Sequence, residues 1–222
     1  MITAEATAKK NIYLVDDHPL VREWLINLIN QQPDLNVCGE AESAPEALRG
    51  IDEKKPDVAV VDITLSSGSG IELIKDVKRM CPKTALIVLS MHDEGLYAER
   101  ALRAGARAYV MKRDTTKKIL AAIRAVLDGR MYVSPEFAAS LTERFIDRGA
   151  SETGSPVELL SDRELEVFRM LGDGIETRRI SESLHISIKT VQVYCARIKE
   201  KMGLNTMTEL LREAVRWKDS ID

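Results

Sequence analysis

Charged and hydroxyl side chains follow four of the five apolar runs in the first half of this sequence. Asp16 and Asp17 come after the first run, Asp62 after the third, and Ser90 and Lys112 after the fourth and fifth. Three carboxylates brought together repel one another and raise their pKa values unless a divalent cation holds them. An all-oxygen site with few protein ligands suits Mg²⁺. The pattern therefore predicts a magnesium site formed by Asp16, Asp17 and Asp62.

Asp62 is the candidate nucleophile of this group. A carboxylate can attack phosphorus and form an acyl phosphate. Lys112 would offset charge on the phosphoryl oxygens, and the Ser90 hydroxyl would hydrogen-bond one of them once it is present. These residue types predict a site at which an aspartate accepts a phosphoryl group and a serine senses it.

The elements that must position these residues alternate between short apolar runs and longer amphipathic stretches, which is typical of parallel strands joined by helices. In such sheets a ligand site lies at the carboxyl ends of the strands. The runs lack polar alternation, as strands buried on both faces do. The expected strands are residues 12–15, 35–40, 58–61, 85–89 and 108–111. We expect an α/β doubly wound five-stranded parallel sheet followed by an all-α domain.

Each of these polar residues also has a structural alternative. Asp17 could cap the helix that follows it. Ser90 and Lys112 could be solvated loop residues, and Tyr109 could be an ordinary strand aromatic. Joint placement of four polar sites at strand ends favours the functional interpretation, because chance would give it in about one α/β sequence in a hundred or fewer.

Two side chains near the acid pair carry no functional prediction. His18 directly follows Asp17 and is interpreted as a loop histidine. Trp24 has the helical spacing of its apolar neighbours, so we expect it to face the core.

Composition limits the class of protein. The chain has 222 residues, of which 45% are hydrophobic and 30% charged, so two globular domains are expected. No apolar run approaches the roughly 20 residues of a membrane span, and residues 1–10 resemble no secretory signal. We therefore place the chain in the cytoplasm, with no membrane partner. Three widely spaced cysteines fit neither a disulfide framework nor a zinc site.

The pattern changes after residue 128. One amphipathic stretch covers residues 136–146, and the polar run 148–156 is predicted to be a flexible tether. Beyond it no strand pattern appears, and four helices are expected to begin near Asp162, Thr177, Ile188 and Thr206. The predicted division is a first domain at 1–132, a linker with a helix and the tether at 133–157, and a second domain at 158–222.

Residues 160–202 have the pattern of a helix-turn-helix. Ser161 is followed three residues later by Glu164, which predicts a capping box. A short helix near residues 178–184 then turns into a longer one at residues 188–202. Apolar residues expected inside this pair of helices are Ile180, Leu184, Ile186 and Val191.

The longer helix is basic although the whole chain has a formal net charge of −3. Between residues 176 and 201, six Lys or Arg stand against three acids, a balance of +3. Such charges contact DNA phosphates, while Gln192 suits adenine and Val193 suits a thymine methyl. The alternative is a helical bundle with a solvated basic face. The expected DNA contacts are Arg178, Lys189, Thr190, Gln192, Val193, Tyr194, Arg197 and Lys201.

The first half resembles the receiver domain of two-component response regulators. The acid pair, Asp62, Ser90 and Lys112 stand where that family has them, and Val-Asp-Asp-His at residues 15–18 matches it closely. The resemblance implies a flavodoxin-like fold and phosphorylation of Asp62 by a sensor histidine kinase. It also implies that the receiver catalyses only its own phosphoryl transfer and dephosphorylation, so that the chain is not otherwise an enzyme.

The same resemblance makes Tyr109 a switch residue beside Ser90, since receivers carry at this position an aromatic that turns inward on activation. Two departures from the family pattern lie in the loops around the site. Ser66 and Arg113 stand where the family usually has proline.

The second half resembles the LuxR-type helix-turn-helix at residues 160–167, 186–194 and 201–203. With the receiver, the chain resembles the NarL/FixJ subfamily. This implies a transcription factor in which phosphorylation modulates dimerisation and sequence-specific binding to double-stranded DNA. A homodimer is expected when it is phosphorylated, and RNA polymerase is a candidate partner. Gln192 and Tyr194 depart from the common residues of the pattern.

Two other classes of function could use parts of the same sequence. A phosphohydrolase could use the same carboxylates and Mg²⁺, but no extra domain or long lid loop is present to enclose a substrate. In a DNA-binding scaffold the receiver would serve only for dimerisation, and the intact acid pair, Asp62 and Lys112 argue against that loss of chemistry.

Overall fold

A five-stranded parallel sheet forms the centre of the first half of the chain. In this computed structural model, which describes residues 9–65, 69–91, 94–114, 116–147 and 156–219, two units separate at Met1–Asp147 and Arg148–Asp222. The strand order is β2-β1-β3-β4-β5. The strands are β1 (Lys10–Val15), β2 (Leu35–Ala41), β3 (Val58–Val61), β4 (Ala85–Ser90) and β5 (Ala108–Met111).

Helices cover both faces of this sheet, which confirms the predicted doubly wound α/β fold. The apolar runs are buried as expected, including all four residues of β3 and of β5. The order of the strands reverses between β1 and β3, and sheets of this kind bind ligands at the carboxyl ends of the strands at that point. The helices of this unit are α1 (Pro19–Asn30), α2 (Ala44–Lys54), α3 (Gly70–Met80), α4 (Glu94–Ala104), α5 (Thr116–Leu127) and α6 (Pro135–Asp147).

Trp24 does not face the core, so that expectation was wrong. Its side chain is 39% exposed on α1, while Leu25 and Ile29 are buried against the sheet. These two residues are four apart and share one face of the helix. Trp24 lies one residue earlier, about 100° around the helix axis, and so points away from the sheet.

A short segment after α5 extends the sheet beyond β5. The Tyr132 carbonyl accepts from the Tyr109 N–H at 3.0 Å, and the Tyr132 N–H donates to the Arg107 carbonyl at 3.0 Å. A single bridged residue has no periodicity, so no sequence pattern predicts this extension of the sheet. It brings the chain back to the sheet just before α6.

Helix α6 groups with the first unit. Its start is fixed where the Ser134 N–H donates to the buried Glu94 carboxylate at 2.9 Å, and Phe137 is only 4% exposed. The predicted linker at 133–157 remains a prediction, and the tether residues 148–155 lie outside the described part of the chain.

The second unit is helical, as expected. A 3₁₀ turn (Pro156–Leu159) precedes α7 (Asp162–Gly172), α8 (Thr177–Ser183), α9 (Ile188–Met202) and α10 (Met207–Asp219). The predicted capping box is present, since the Ser161 N–H donates to Glu164 Oε2 at 2.7 Å and Ser161 Oγ accepts from the Glu164 N–H. Within the described ranges, no helix is both long and apolar enough to cross a membrane.

Candidate functional sites

Asp16 and Asp62 directly follow the neighbouring strands β1 and β3. The Asp62 N–H donates to the Val15 carbonyl at 2.8 Å, which fixes the two strand ends against each other. Both side chains are buried, at 3% and 4% exposure. Helix α3 begins directly against this backbone, because a Cβ placed on Gly70 would lie 2.0 Å from the Asp62 carbonyl oxygen.

Lys112 joins the two carboxylates from the end of β5. Its ammonium lies 2.6 Å from Asp16 Oδ2 and 2.7 Å from Asp62 Oδ2, and its side chain is 7% exposed. The Lys112 N–H donates to the Ser90 carbonyl at 2.7 Å. The structure thus brings together residues from the ends of β1, β3, β4 and β5, as the sequence predicted.

The electrostatics of this group show a shortage of positive charge. Burial raises the pKa of Asp62 to about 6, with the Asp16 charge adding to it, while Lys112 and the Thr64 N–H oppose the rise. Burial lowers the pKa of Lys112, but the charges of Asp62 and Asp16 and their hydrogen bonds raise it overall. One ammonium does not neutralise the carboxylates of this group.

The donor set fits a divalent cation. Asp16, Asp17, His18 and Asp62 each offer one ligand atom, and these atoms all lie within 4.8 Å of one another. Asp17 is not the N-cap residue of α1, since His18 occupies that position. Three carboxylates in this space match the oxygen ligands that Mg²⁺ prefers.

Arg22 supports the loop that carries the acid pair, a role that no sequence pattern predicted. It is 7% exposed, and its guanidinium donates to the Asp16 carbonyl at 2.6 Å, to Glu40 at 2.9 Å and to Glu42 at 2.6 Å. These partners lie directly after β1 and around the end of β2. A single arginine on α1 gives no local signal of such pairing.

The two predicted switch residues lie inside the sheet. Ser90 is the last residue of β4 and is 0% exposed, and Tyr109 in β5 is 1% exposed. Tyr109 is paired with Val88, two residues before Ser90. Of the two departures from the family pattern, Arg113 is exposed, and Ser66 lies outside the described residues.

In the second unit, α9 presents the predicted DNA-contacting face to solvent. Val191, Cys195 and Ile198 are buried, which leaves the other face of the helix accessible. Ser187 caps the helix, with its Oγ accepting from the Thr190 N–H at 3.0 Å. Thr190 and Tyr194 are half-buried, and the exposed members of the predicted set on this helix are Lys189, Gln192, Val193, Arg197 and Lys201.

Two of the predicted contacts are held in ion pairs. Lys201 Nζ lies 2.7 Å from Glu164 Oε2, whose side chain is 3% exposed, and Arg178 lies 3.3 Å from Glu182. Burial raises the pKa of Glu164, but hydrogen bonds from Lys201 and Ser161 lower it overall. Lys201 therefore joins α9 to the start of α7, and a contact with DNA would use the same ammonium.

Comparison with known proteins decides between these interpretations. The family model of the response regulator receiver domain matches residues 12–124, and that of the bacterial regulatory proteins of the LuxR family matches residues 158–214. The chain belongs to the response regulators with a LuxR-type DNA-binding domain. Its family acts in transcription and does not consist of classical enzymes.

Relatives of this response regulator align along nearly its whole length. The oxygen regulatory protein NreC of Staphylococcus aureus (strain MRSA252) is 33% identical over 93% of this chain and 97% of its own. NreC of Staphylococcus carnosus is 31% identical with the same coverage.

Solved structures of response regulators are also similar. One of the LuxR family from Aurantimonas sp. SI85-9A1 is 36% identical, covering 63% of this chain and 99% of its own, with a TM-score of 0.59. RcsB of Salmonella enterica serovar Typhimurium, bound to the promoter P1flhDC in the presence of the phosphomimetic BeF3-, is 25% identical. That match covers 93% of this chain and 98% of the RcsB chain, with a TM-score of 0.60.

Proposed function

We propose that Asp62 accepts a phosphoryl group from a sensor histidine kinase, and that phosphorylation promotes homodimerisation and binding to paired DNA half-sites. The observation that carries this proposal is the Lys112 ammonium held between Asp62 and Asp16 at the carboxyl edge of the sheet. A kinase partner and a DNA partner together imply that the protein acts in the cytoplasm. RNA polymerase is the further partner through which transcription would change.

In the transfer step, an Asp62 oxygen forms a bond to phosphorus while the bond from phosphorus to the kinase histidine breaks. Lys112 is close enough to Asp62 to move onto a phosphoryl oxygen and offset its charge. A divalent cation held by Asp16, Asp17 and Asp62 would supply further positive charge. Loss of the group by hydrolysis reverses the modification, and this receiver activity is also a proposal.

Ser90 is the sensing residue in this proposal. Ser90 is the last residue of β4, and its carbonyl accepts the Lys112 N–H. It is therefore next to Lys112, whose ammonium contacts the proposed acceptor Asp62. A hydroxyl that bonds the phosphoryl oxygen would draw the start of the β4–α4 connection towards Asp62. Tyr109, on the neighbouring strand, is the second residue whose position would change.

For DNA binding, α9 enters the major groove with the N-terminal half of the helix nearest the bases. Gln192 and Val193 would read base edges, while Lys189, Arg197 and Arg178 would contact phosphates. The exposure of this face and the RcsB–promoter structures of similar sequence support this role.

Phosphorylation is tested with a small-molecule phosphodonor and Mg²⁺. Wild-type protein should gain one hydroxylamine-labile phosphoryl group by mass, and Asp62→Asn should gain none. Asp76→Asn, a half-buried aspartate on α3 paired with Arg79, is the matched control and should label normally. Labelling that persists in Asp62→Asn would sink the assignment.

A further inference from the structure

His18 lies against the acidic cluster, although its sequence position suggested only a loop. Its Nδ1 is 2.8 Å from Asp17 Oδ1 and 3.2 Å from Asp16 Oδ1. Two ligands at right angles on an ion with bonds of about 2.1 Å are about 3.0 Å apart. In the structure these are hydrogen-bond and ion-pair distances. The same spacing also fits an imidazole nitrogen bound beside the two carboxylates to one ion.

The backbone holds His18 in this position. Its N–H donates to Asp16 Oδ1 at 2.9 Å, and its carbonyl accepts from the N–H groups of Val21 and Arg22 in the first turn of α1. The His18 side chain is 64% exposed, so one edge of the ring faces solvent and an ion can reach the cluster from that side.

Lys112 and His18 face different oxygen atoms of Asp16. The ammonium contacts Oδ2, together with Oδ2 of Asp62, whereas the imidazole lies at Oδ1. An ion bound to Asp16 Oδ1 beside His18 would leave the Lys112 contact in place. The two groups can therefore act on one cluster without competing for the same atoms.

We propose that Nδ1 of His18 is a ligand of the divalent metal and that it gives this site a preference for borderline ions such as Co²⁺ and Ni²⁺. The inference rests on the metal site of the proposed function and adds to it a nitrogen ligand. Imidazole binds borderline ions well, while Mg²⁺ takes oxygen ligands and keeps its water. Ligation through Nδ1 places the remaining ring proton on Nε2.

The test uses full-length protein and Mn²⁺, without phosphodonor. Electron paramagnetic resonance counts bound Mn²⁺, and its pulsed form detects hyperfine coupling to a directly bound nitrogen. Wild-type protein should show that coupling and His18→Gln should not. His185→Gln, which changes an exposed histidine of the other unit, is the matched control and should keep it.

Displacement of the bound Mn²⁺ by Ni²⁺ or Mg²⁺ then measures selectivity at one fixed pH. His18→Gln should lower the Ni²⁺-to-Mg²⁺ affinity ratio by at least about tenfold, with Mg²⁺ affinity changed less than about twofold. Bound Mn²⁺ without nitrogen coupling, or an unchanged ratio in His18→Gln, overturns the inference while leaving the carboxylate site intact. Failure of wild-type protein to bind Mn²⁺ or Mg²⁺ overturns the metal site itself.

Discussion

Asp62 is a buried carboxylate that shares one ammonium group with Asp16. Its pKa is raised to about 6, chiefly by burial, so the folded protein binds this proton more tightly than the unfolded chain does. The stabilisation that protonated Asp62 gives at low pH is therefore lost as the pH rises. The loss runs from the pKa of an unfolded aspartate, about 3.9, through the folded pKa of about 6. At neutral pH the ionised side chain costs the metal-free protein on the order of 3 kcal/mol.

A neutral residue at this position should consequently stabilise the metal-free receiver. Asp62→Asn should raise the free energy of unfolding by about 1–3 kcal/mol at pH 8 and leave it nearly unchanged at pH 4. Urea unfolding followed by Trp24 fluorescence in a Trp217→Phe background measures it, since these are the two tryptophans of the chain. Asp76→Asn serves again as the control, and a lower stability of Asp62→Asn at pH 8 would contradict the argument.

At the scale of helices and strands, the sequence predicted those elements whose pattern is local. The expected β3 and β5 have the observed bounds, because strands buried on both faces are continuous apolar runs. Lys10 and Asn11 extend β1 beyond its apolar run, since backbone pairing with β2 carries no side-chain signal. The capping box was likewise visible in the spacing of Ser161 and Glu164.

Contacts between distant parts of the sequence were not visible. Lys201 and Glu164 are 37 residues apart, and the lysine was assigned to DNA from its place on a basic helix face. The pairing of Glu94 with Ser134 across 40 residues has the same cause. Only tertiary structure brings such residues together.

The Glu164–Lys201 pair should stabilise the second unit. Glu164→Gln keeps the shape of the capping box and removes the charge, so we expect a loss of about 1–2 kcal/mol at pH 7. Because the folded pKa of Glu164 is lowered, the loss should shrink as the pH falls below about 4.3. Urea unfolding followed by Trp217 fluorescence in a Trp24→Phe background measures it. Glu200→Gln, an exposed change on α9, should have no effect, and an equal loss there would contradict the pairing argument.

Helix α6 should depend on its contacts with the receiver. Phe137→Ala removes a side chain that is 4% exposed and should destabilise the docked helix by about 3 kcal/mol. Hydrogen exchange should then become faster at the amides of residues 138–143, with the sheet amides unchanged. Glu143→Ala, at an exposed position of α6, is the control. Unchanged exchange in Phe137→Ala would show that Phe137 does not hold α6.

At the scale of the whole molecule, the two units have separate cores and carry separate functions. In the second unit Phe168, Ile180, Val191 and Ile198 are fully buried within helices α7 to α9. In the proposed function one such unit would contact a short half-site, so specificity would need two copies on half-sites roughly 34 to 36 Å apart. Dimerisation adds affinity by raising the effective concentration of the second copy.

The isolated fragment 157–222 should therefore bind DNA without phosphorylation and prefer the same sequence as the full chain. Phosphodonor should raise the affinity of full-length protein together with its dimer fraction. Fluorescence anisotropy on one operator at fixed salt, with light scattering for mass, compares the three samples. Asp62→Asn, which should not respond to phosphodonor, is the control. A different sequence preference of the fragment, or a phosphodonor response without dimers, would contradict this mechanism.

A methyl group added at Gly70 should slow the phosphorylation of Asp62. The start of α3 leaves no room beside Asp62, since a Cβ on Gly70 would lie 2.0 Å from its carbonyl oxygen and 2.7 Å from Ile63 Cα. Gly70→Ala would push the backbone of the acceptor aside by about 1 Å, a misplacement that costs about a hundredfold in rate where reacting groups must align. Position 70 carries no functional atom, yet we expect Gly70→Ala to slow phosphorylation of Asp62 by about that factor.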